Sequence, residues 1–306
     1  MLDPQQLRGI VVPMATPLER DGRRVNPTGV RELVEHLVGG GVHAVFVAGT
    51  TGEGPALEVQ EWARLVRTAV ESVRGRVPVL AGVLAPATGP AVALARTAAE
   101  LGADAVVATA PYYYPYSDDE ILFHLRAVAD AAELPVLLYN IPQNTRNAVS
   151  MGLCEQLAGS PEFVGLKDSS ADLDSFRAWA PALRRQDPDF RLLLGTDHLL
   201  DVAILLGADG VVPSLANVVP RLLVEAFEAA SAGDRVGCSS KIGRITQLMA
   251  LYRVRAPQQA GIVTGIKCAL EALGLPAGPP AAPSLPPQDR ERRAVADVLR
   301  RLEVTT

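Results

Sequence analysis

Eight short, β-branched apolar runs alternate with longer amphipathic segments and predict an α/β fold, a (β/α)8 TIM barrel followed by a C-terminal helical extension. Three observations carry this. Most of the runs are apolar on both faces, as in parallel strands covered by helices. Several follow a turn signal such as Gly39-Gly40-Gly41, Leu101-Gly102-Ala103-Asp104 or Leu206-Gly207-Ala208-Asp209-Gly210. There glycine supplies a left-handed cap and the chain turns straight into a strand. Finally, the GxGxxG fingerprint of a doubly wound nucleotide fold does not follow the first run.

The elements run in order. Gly9–Val12 is the first strand, and the apolar spacing of Val30–Val38 predicts the first helix. Ala44–Ala48 is the second strand. Leu57–Val73 follows as a helix with Trp62, Leu65, Val66 and Ala69 on one face. Strand Val77–Ala81 leads to helix Ala91–Leu101, and strand Ala105–Thr109 to helix Asp118–Ala132. Strands Val136–Tyr139, Phe163–Lys167 and Arg191–Leu194 precede helices Ser150–Leu157, Leu173–Leu183 and Leu199–Leu206. Gly210–Val212 is the eighth strand. Three more helical patterns follow, Pro220–Ala232, Val236–Tyr252 and Gln259–Leu273. A Pro/Gly/Ala loop, Gly274–Pro287, then leads to a charged helix, Asp289–Leu302. The loop is too short to be an independent linker. The expected organisation is a barrel over residues 1–224 and an extension over 225–306.

Bulk properties exclude several functions. The chain has 306 residues, 48% of them hydrophobic, enough for a large core. A net charge of −5 gives no overall basic signature for nucleic acid or an anionic membrane. Cys154, Cys238 and Cys268 are far apart and form no CxxC, so reduced thiols in a cytoplasmic protein are the simplest reading. The opening MLDPQQLRGI lacks the pattern of a signal peptide, and no apolar run is long enough to span a bilayer. The four histidines form no HExxH or HxH, so no metal is expected. The absence of GxSxG argues against a serine hydrolase, and that of GK[ST] against a nucleotide P-loop.

Only three of the 29 basic residues are lysines: Lys167, Lys241 and Lys267. Arginine keeps its proton at working pH, whereas a buried lysine can lose it. Lys167 ends an apolar strand, so it is either a Schiff-base nucleophile or a salt-bridged strand end. The strand ends nearby are polar: Gly49-Thr50-Thr51-Gly52-Glu53, Tyr139-Asn140-Ile141-Pro142, Lys167-Asp168-Ser169-Ser170, Gly195-Thr196-Asp197-His198 and Pro213-Ser214. In a barrel these share one rim, the face where active groups project. Thr50 and Thr51, between glycines, offer amides and hydroxyls to a carboxylate, or form an ordinary capped turn. Tyr139 and Lys167 end consecutive strands and should be neighbours, where a tyrosine hydroxyl can relay protons to an amine adduct. Tyr112-Tyr113-Tyr114 suits packing or a subunit contact. His198 is an acid, a base or a cap. Lys241 reads as solvated, and Lys267 is the rival to Lys167.

Taken in order, Gly49-Thr50-Thr51-Gly52-Glu53, Tyr139-Asn140-Ile141-Pro142 and Lys167-Asp168-Ser169, with 28 positions from tyrosine to lysine, resemble the dihydrodipicolinate synthase / N-acetylneuraminate lyase family. The likeness runs from Pro13-Met14-Ala15-Thr16-Pro17 to Gly265-Ile266-Lys267. It implies a class I aldolase or lyase that needs no cofactor beyond a lysine imine, assembled as a homotetramer, a dimer of dimers. By position, Lys167 is implied to form the imine with pyruvate or another 2-keto acid, and Tyr139 to shuttle protons. Thr50 and Thr51 would bind the carboxylate, with Thr50 in the relay. Tyr113 would reach across a subunit interface to complete it. Val212 would face the keto acid with its carbonyl, and Gly195, Asp197 and Ser214 match substrate-binding positions.

Lysine-pathway synthases usually carry an arginine five residues after the tyrosine. Here it is Asn144, with Arg146 two residues on. Sialic-acid lyases usually place an acid where His198 stands. The expected function is therefore a catabolic aldolase or lyase, acting on a 2-keto-3-deoxy sugar acid or a 4-hydroxy-2-oxo acid, with pyruvate and an aldehyde as its small-molecule partners. The alternative is 4-hydroxy-tetrahydrodipicolinate synthase, joining pyruvate to aspartate semialdehyde. A dehydratase using the same imine comes third. A non-catalytic keto-acid-binding barrel is the reading from a different class.

Overall fold

The eight predicted strands all form, and each lies parallel to its neighbours: β1 (Gly9–Pro13), β2 (Ala44–Val47), β3 (Val79–Gly82), β4 (Ala105–Thr109), β5 (Val136–Asn140), β6 (Phe163–Asp168), β7 (Arg191–Leu194) and β8 (Gly210–Val211). β8 returns to β1 through the pairs Gly210–Gly9 and Val211–Ile10, which closes a (β/α)8 TIM barrel. The structure, a computed structural model, describes residues 4–256 and 258–304, without the side chains of Pro4 and residues 258–260. The first three residues of the stretch read for a leader, and the last two of the extension, lie outside the described residues.

The helices are α1 (Pro27–Gly39), α2 (Val59–Val73), α3 (Thr88–Glu100), α4 (Asp118–Ala132), a single turn α5 (Pro142–Thr145), α6 (Met151–Ala158), α7 (Leu173–Gln186), α8 (Leu200–Leu205), α9 (Pro220–Ser231), α10 (Arg235–Leu248), α11 (Gln258–Ala272) and α12 (Asp289–Arg301). Local chemistry sets several starts. Asn26, Ser150, Asp172 and Asp234 cap α1, α6, α7 and α10 with side-chain oxygens. Ser117 and Glu120 form a reciprocal capping box on α4. α9 runs uninterrupted through position 224 and packs on β1 and α8, so the boundary expected at 225 falls inside this helix. The single helix expected over Val236–Tyr252 ends at Leu248 and tightens into a 3-10 turn, Met249–Arg253. Ala48 leaves β2 because its backbone turns left-handed, with φ of 54°. Val212 lies just past β8, its N–H donating to the Leu194 carbonyl at 2.8 Å.

Strand alternation divides the core in two. Val11, Ala44, Phe46, Leu80, Val107, Leu137, Tyr139 and Leu193 fill the barrel interior. Val12, Val45, Val47, Val106, Leu138 and Leu192 face the helices. The extension is fastened to the rim by a buried ion pair. Lys267 of α11 meets Glu53 at 2.5 Å and donates to the Pro279 carbonyl at 2.9 Å, while Glu53 accepts the Ala281 N–H at 2.6 Å. Glu53 itself holds a left-handed φ of 56° in the loop after β2. The third lysine, Lys241, which reads as solvated in the sequence, is half-buried and pairs with Glu225 on α9.

Removing one partner of a buried pair strands the other charge. Lys267→Met is expected to cost on the order of 3–5 kcal/mol of stability. The double variant Glu53→Gln/Lys267→Met is expected to recover part of that loss. Urea unfolding followed by circular dichroism checks both. Equal losses in the two variants would show that packing, not charge, holds the extension.

Candidate active site

The pairing of β5 with β6 brings Tyr139 beside Lys167 and Asn140 beside Asp168. A register shift lies between Val136–Phe163 and Leu137–Gly165, so Val164 is the extra residue. Phe163 and Leu166 both face the helices although they are three apart. The slip therefore resets the alternation and turns Lys167 inward. Gly165 permits it, since a Cβ there would strike the Arg191 backbone of β7. Inside the barrel the Lys167 amine sits 3.7 Å from the centre of the Tyr139 ring and 4.9 Å from that of Phe46. On the other face Asn140 donates to Asp168 at 2.7 Å and accepts the Val149 N–H at 3.1 Å, which braces both strand ends.

Lys167 is 4% exposed and has no carboxylate partner among the described residues. Burial pushes its amine below the ordinary 10.5, against a smaller upward pull from Tyr139. Lys267, the rival in sequence, is buried as deeply but is paired with the Glu53 carboxylate. Across the interior, the Thr50 hydroxyl lies 3.2 Å from the Tyr139 hydroxyl. The Thr51 hydroxyl lies 2.8 Å from that of Ser214. The loop carrying both threonines is pinned by Thr16, which donates to the Gly52 carbonyl at 2.5 Å. Among the described residues no chain acceptor takes the N–H of Thr51 or Gly52. These amides and hydroxyls together suit a carboxylate.

The remaining predicted residues are placed differently. Val212 is buried in the interior cluster with Tyr139. Gly195 donates to the Asp168 carbonyl at 2.7 Å, and a Cβ there would strike Ser169. Asp197 is buried with both oxygens occupied, by the Leu215 N–H at 2.7 Å and the Tyr252 hydroxyl at 2.8 Å. Burial raises its carboxyl to about 6. Tyr113 does not meet Tyr139 within the chain. It is 72% exposed with φ of 94°, a strained backbone for a bulky residue. Asn147 sets that loop, donating to the Pro111 and Tyr114 carbonyls at 2.8 and 2.9 Å and accepting the Tyr116 N–H. Asn217 likewise ties the end of β1 to the loop after β8. Phe46, Asn147, Asn217 and Tyr252 were not singled out by the sequence, because none belongs to a strand-end motif, and Asn140 stood in one without a role of its own.

A cavity of about 470 Å³ opens on this rim and reaches Thr50, with Leu84, Tyr112, Ile141, Asn144 and Val263 among its walls. Lys167 does not line the cavity but is linked to its Thr50 wall by contact through Tyr139. Tyr112, rather than Tyr113, faces the cavity. His198 does not line it. Among the described residues no cluster of His, Cys, Asp and Glu is arranged to hold a metal, and no helix is long and apolar enough to cross a membrane.

The profile of the Dihydrodipicolinate synthetase family matches residues 6–302. The chain belongs to this family. An uncharacterized DapA-like lyase of Halobacterium salinarum is 37% identical over 294 residues, 96% of this chain and 93% of its own. A 4-hydroxy-tetrahydrodipicolinate synthase of Methanopyrus kandleri is 34% identical over 97% of this chain and 95% of its own. Among solved structures, dihydrodipicolinate synthase of Bacteroides thetaiotaomicron superposes with a TM-score of 0.91 at 33% identity, covering 96% of this chain and 98% of that one. YagE of E. coli K12, a family protein solved in complex with pyruvate, also reaches 0.91, at 28% identity, covering 97% and 99%. Like its relatives, this family member is an enzyme of the lyase and aldolase type. It departs from the synthase pattern where Asn144 lines the cavity and Arg146 is exposed, with φ of 61°.

The Lys167 amine has a testable signature. It titrates near 10.5 when unfolded and lower when folded, so between those values the unfolded state binds more protons and stability rises with pH. Below that window the folded protein bears the cost of the buried amine. Lys167→Met is expected to raise the melting temperature at neutral pH, by an amount that shrinks as the pH nears 10.5. Parallel melts of both proteins across this range measure it. A gain that does not change with pH would assign the effect to packing.

Proposed function

We propose that this family member is an imine-forming carbon–carbon lyase that cleaves a 4-hydroxy-2-keto acid to pyruvate and an aldehyde, or condenses the two. The observation that carries the reading is the buried Lys167 amine against the Tyr139 ring, with no carboxylate partner among the described residues and with Thr50 in reach of the Tyr139 hydroxyl. A neutral amine attacks the C2 carbonyl and loses water to give a protonated imine. The C3–C4 bond then breaks, and its electrons pass into the iminium to leave an enamine. The C4 hydroxyl gives its proton to the Tyr139–Thr50 relay as the aldehyde departs. Protonation at C3 and attack by water on the imine release pyruvate and restore Lys167. The imine is itself the electron sink, so the cycle calls on no separate cofactor. Thr51, Ser214 and the loop amides hold the keto-acid carboxylate, and the Val212 carbonyl faces its other side. Gly195 and Asp197 shape the strand-seven side of the site. A sugar-acid substrate would take hydroxyl contacts from Asp197 only by displacing Leu215 or Tyr252 from it.

Synthesis from pyruvate and aspartate semialdehyde is the second reading, favoured by relatives named 4-hydroxy-tetrahydrodipicolinate synthase. Against it stands Asn144, which gives the aldehyde's carboxylate no cation. A pure keto-acid-binding role would leave the hydroxyl relay without a purpose. The reading includes an oligomer in which Tyr113 of one subunit completes its neighbour's relay, supported by the exposed Tyr113 and Tyr114. It also includes a cytoplasmic setting, supported by three free, buried cysteines.

Borohydride reduction in the presence of pyruvate, followed by peptide mapping, is expected to place a pyruvyl adduct on Lys167 and none on Lys167→Ala. Tyr139→Phe is expected to keep the fold and slow turnover on the order of 100- to 10,000-fold. An unmodified Lys167 with pyruvate and with longer 2-keto acids would sink the proposal.

A further inference from the structure

We infer that the aldehyde handled by this site is uncharged and largely apolar. The inference rests on the imine-lyase reading and narrows its second substrate. In that reaction the keto-acid half stays bonded to Lys167, while the aldehyde half, from C4 outward, must lie on the solvent side of Thr50. The space there is the cavity of about 470 Å³.

Its walls decide what fits. Pro55, Leu84, Ile141, Val263 and Pro283 are apolar, and Tyr112 adds a ring. Among the described residues no lysine, arginine or histidine lines it. The one carboxylate, Glu53, has its oxygens committed to Lys267 and to the Ala281 N–H. The hydroxyl of Thr145, another wall residue, is committed to the carbonyls of Ile141 and Asn147. Arg146, the cation nearest in sequence, is exposed and is not part of the wall.

A carboxylate brought into this space would lose its water and meet no counter-charge. A polyol would meet few free partners, since Thr50 is engaged with Tyr139 and only Asn144, Tyr112, Thr109 and Ser284 remain. An apolar body would lose nothing and bury its surface against the walls. The outer wall comes from the extension, through Val263, Ala281, Pro283 and Ser284, and the Glu53–Lys267 pair holds it in place.

The test is condensation with pyruvate, measuring kcat/KM for benzaldehyde and hexanal against glyoxylate, succinic semialdehyde and glyceraldehyde. The apolar aldehydes are expected to lead by on the order of tenfold or more. Asn144→Arg, which sets a guanidinium on the wall, is expected to raise kcat/KM for glyoxylate and lower it for benzaldehyde. Equal or better use of the carboxylated aldehydes or of glyceraldehyde by the unmodified protein overturns the inference. So does an Asn144→Arg variant with unchanged preference. Borohydride trapping of pyruvate on the same sample separates the two levels. An adduct on Lys167 with no apolar preference defeats only the aldehyde assignment, whereas no adduct defeats the lyase reading and this inference with it.

Discussion

Lys167 reaches the barrel interior because the pairing of β5 with β6 slips by one residue ahead of it. Side chains on a strand alternate, so a single extra residue exchanges the two faces for everything that follows. Without the slip, the amine would point toward the helices and Leu166 toward the pocket. Gly165 is what the slip requires, because β7 backbone occupies the place of a side chain there. The proximity of amine, tyrosine ring and threonine hydroxyl, and the depth at which the amine is buried, both descend from that local irregularity. Bulges between parallel strands are uncommon, and they cluster where a side chain must be re-aimed.

The chain buries two lysines and treats them in opposite ways. Lys267 is given a carboxylate and a carbonyl, so its charge is kept and used as a fastener between the rim loop and the extension. Among the described residues Lys167 is given aromatic faces and no carboxylate, so burial penalises its charge. Equal burial thus yields a paired ion in one place and, among the described residues, an amine without a carboxylate partner in the other. The difference lies in a single neighbour, Glu53, which an unusual left-handed backbone turns toward the extension.

Much of this was legible in the sequence, and the parts that were not share a cause. The strands were readable because each is a short apolar run bounded by glycine turns, and the lysine because arginine replaces it almost everywhere else. Tyr139 and Lys167 were readable as neighbours because parallel strands set consecutive strand ends side by side. The bulge at Val164 was not, since an apolar run carries no alternation from which a slip can be seen. The fate of Asp197 was hidden as well. Its partner Tyr252 lies 55 residues away in a segment that reads as one long helix, although the chain bends there into a 3-10 turn. Asn147 and Asn217 were invisible for a similar reason, because an asparagine in a loop declares its partners only once distant carbonyls have been brought to it.

The Asn147 amide holds the loop after β4 from both of its ends, and the loop in turn projects Tyr113 at a backbone angle that few residues adopt. An exposed aromatic on a slack loop would surrender much of its freedom on meeting another surface. Here the backbone entropy has been given up already, within the fold itself. The protrusion is ordered in advance of any contact, so a surface that receives this tyrosine gains the area of its ring without having to tame the segment that carries it.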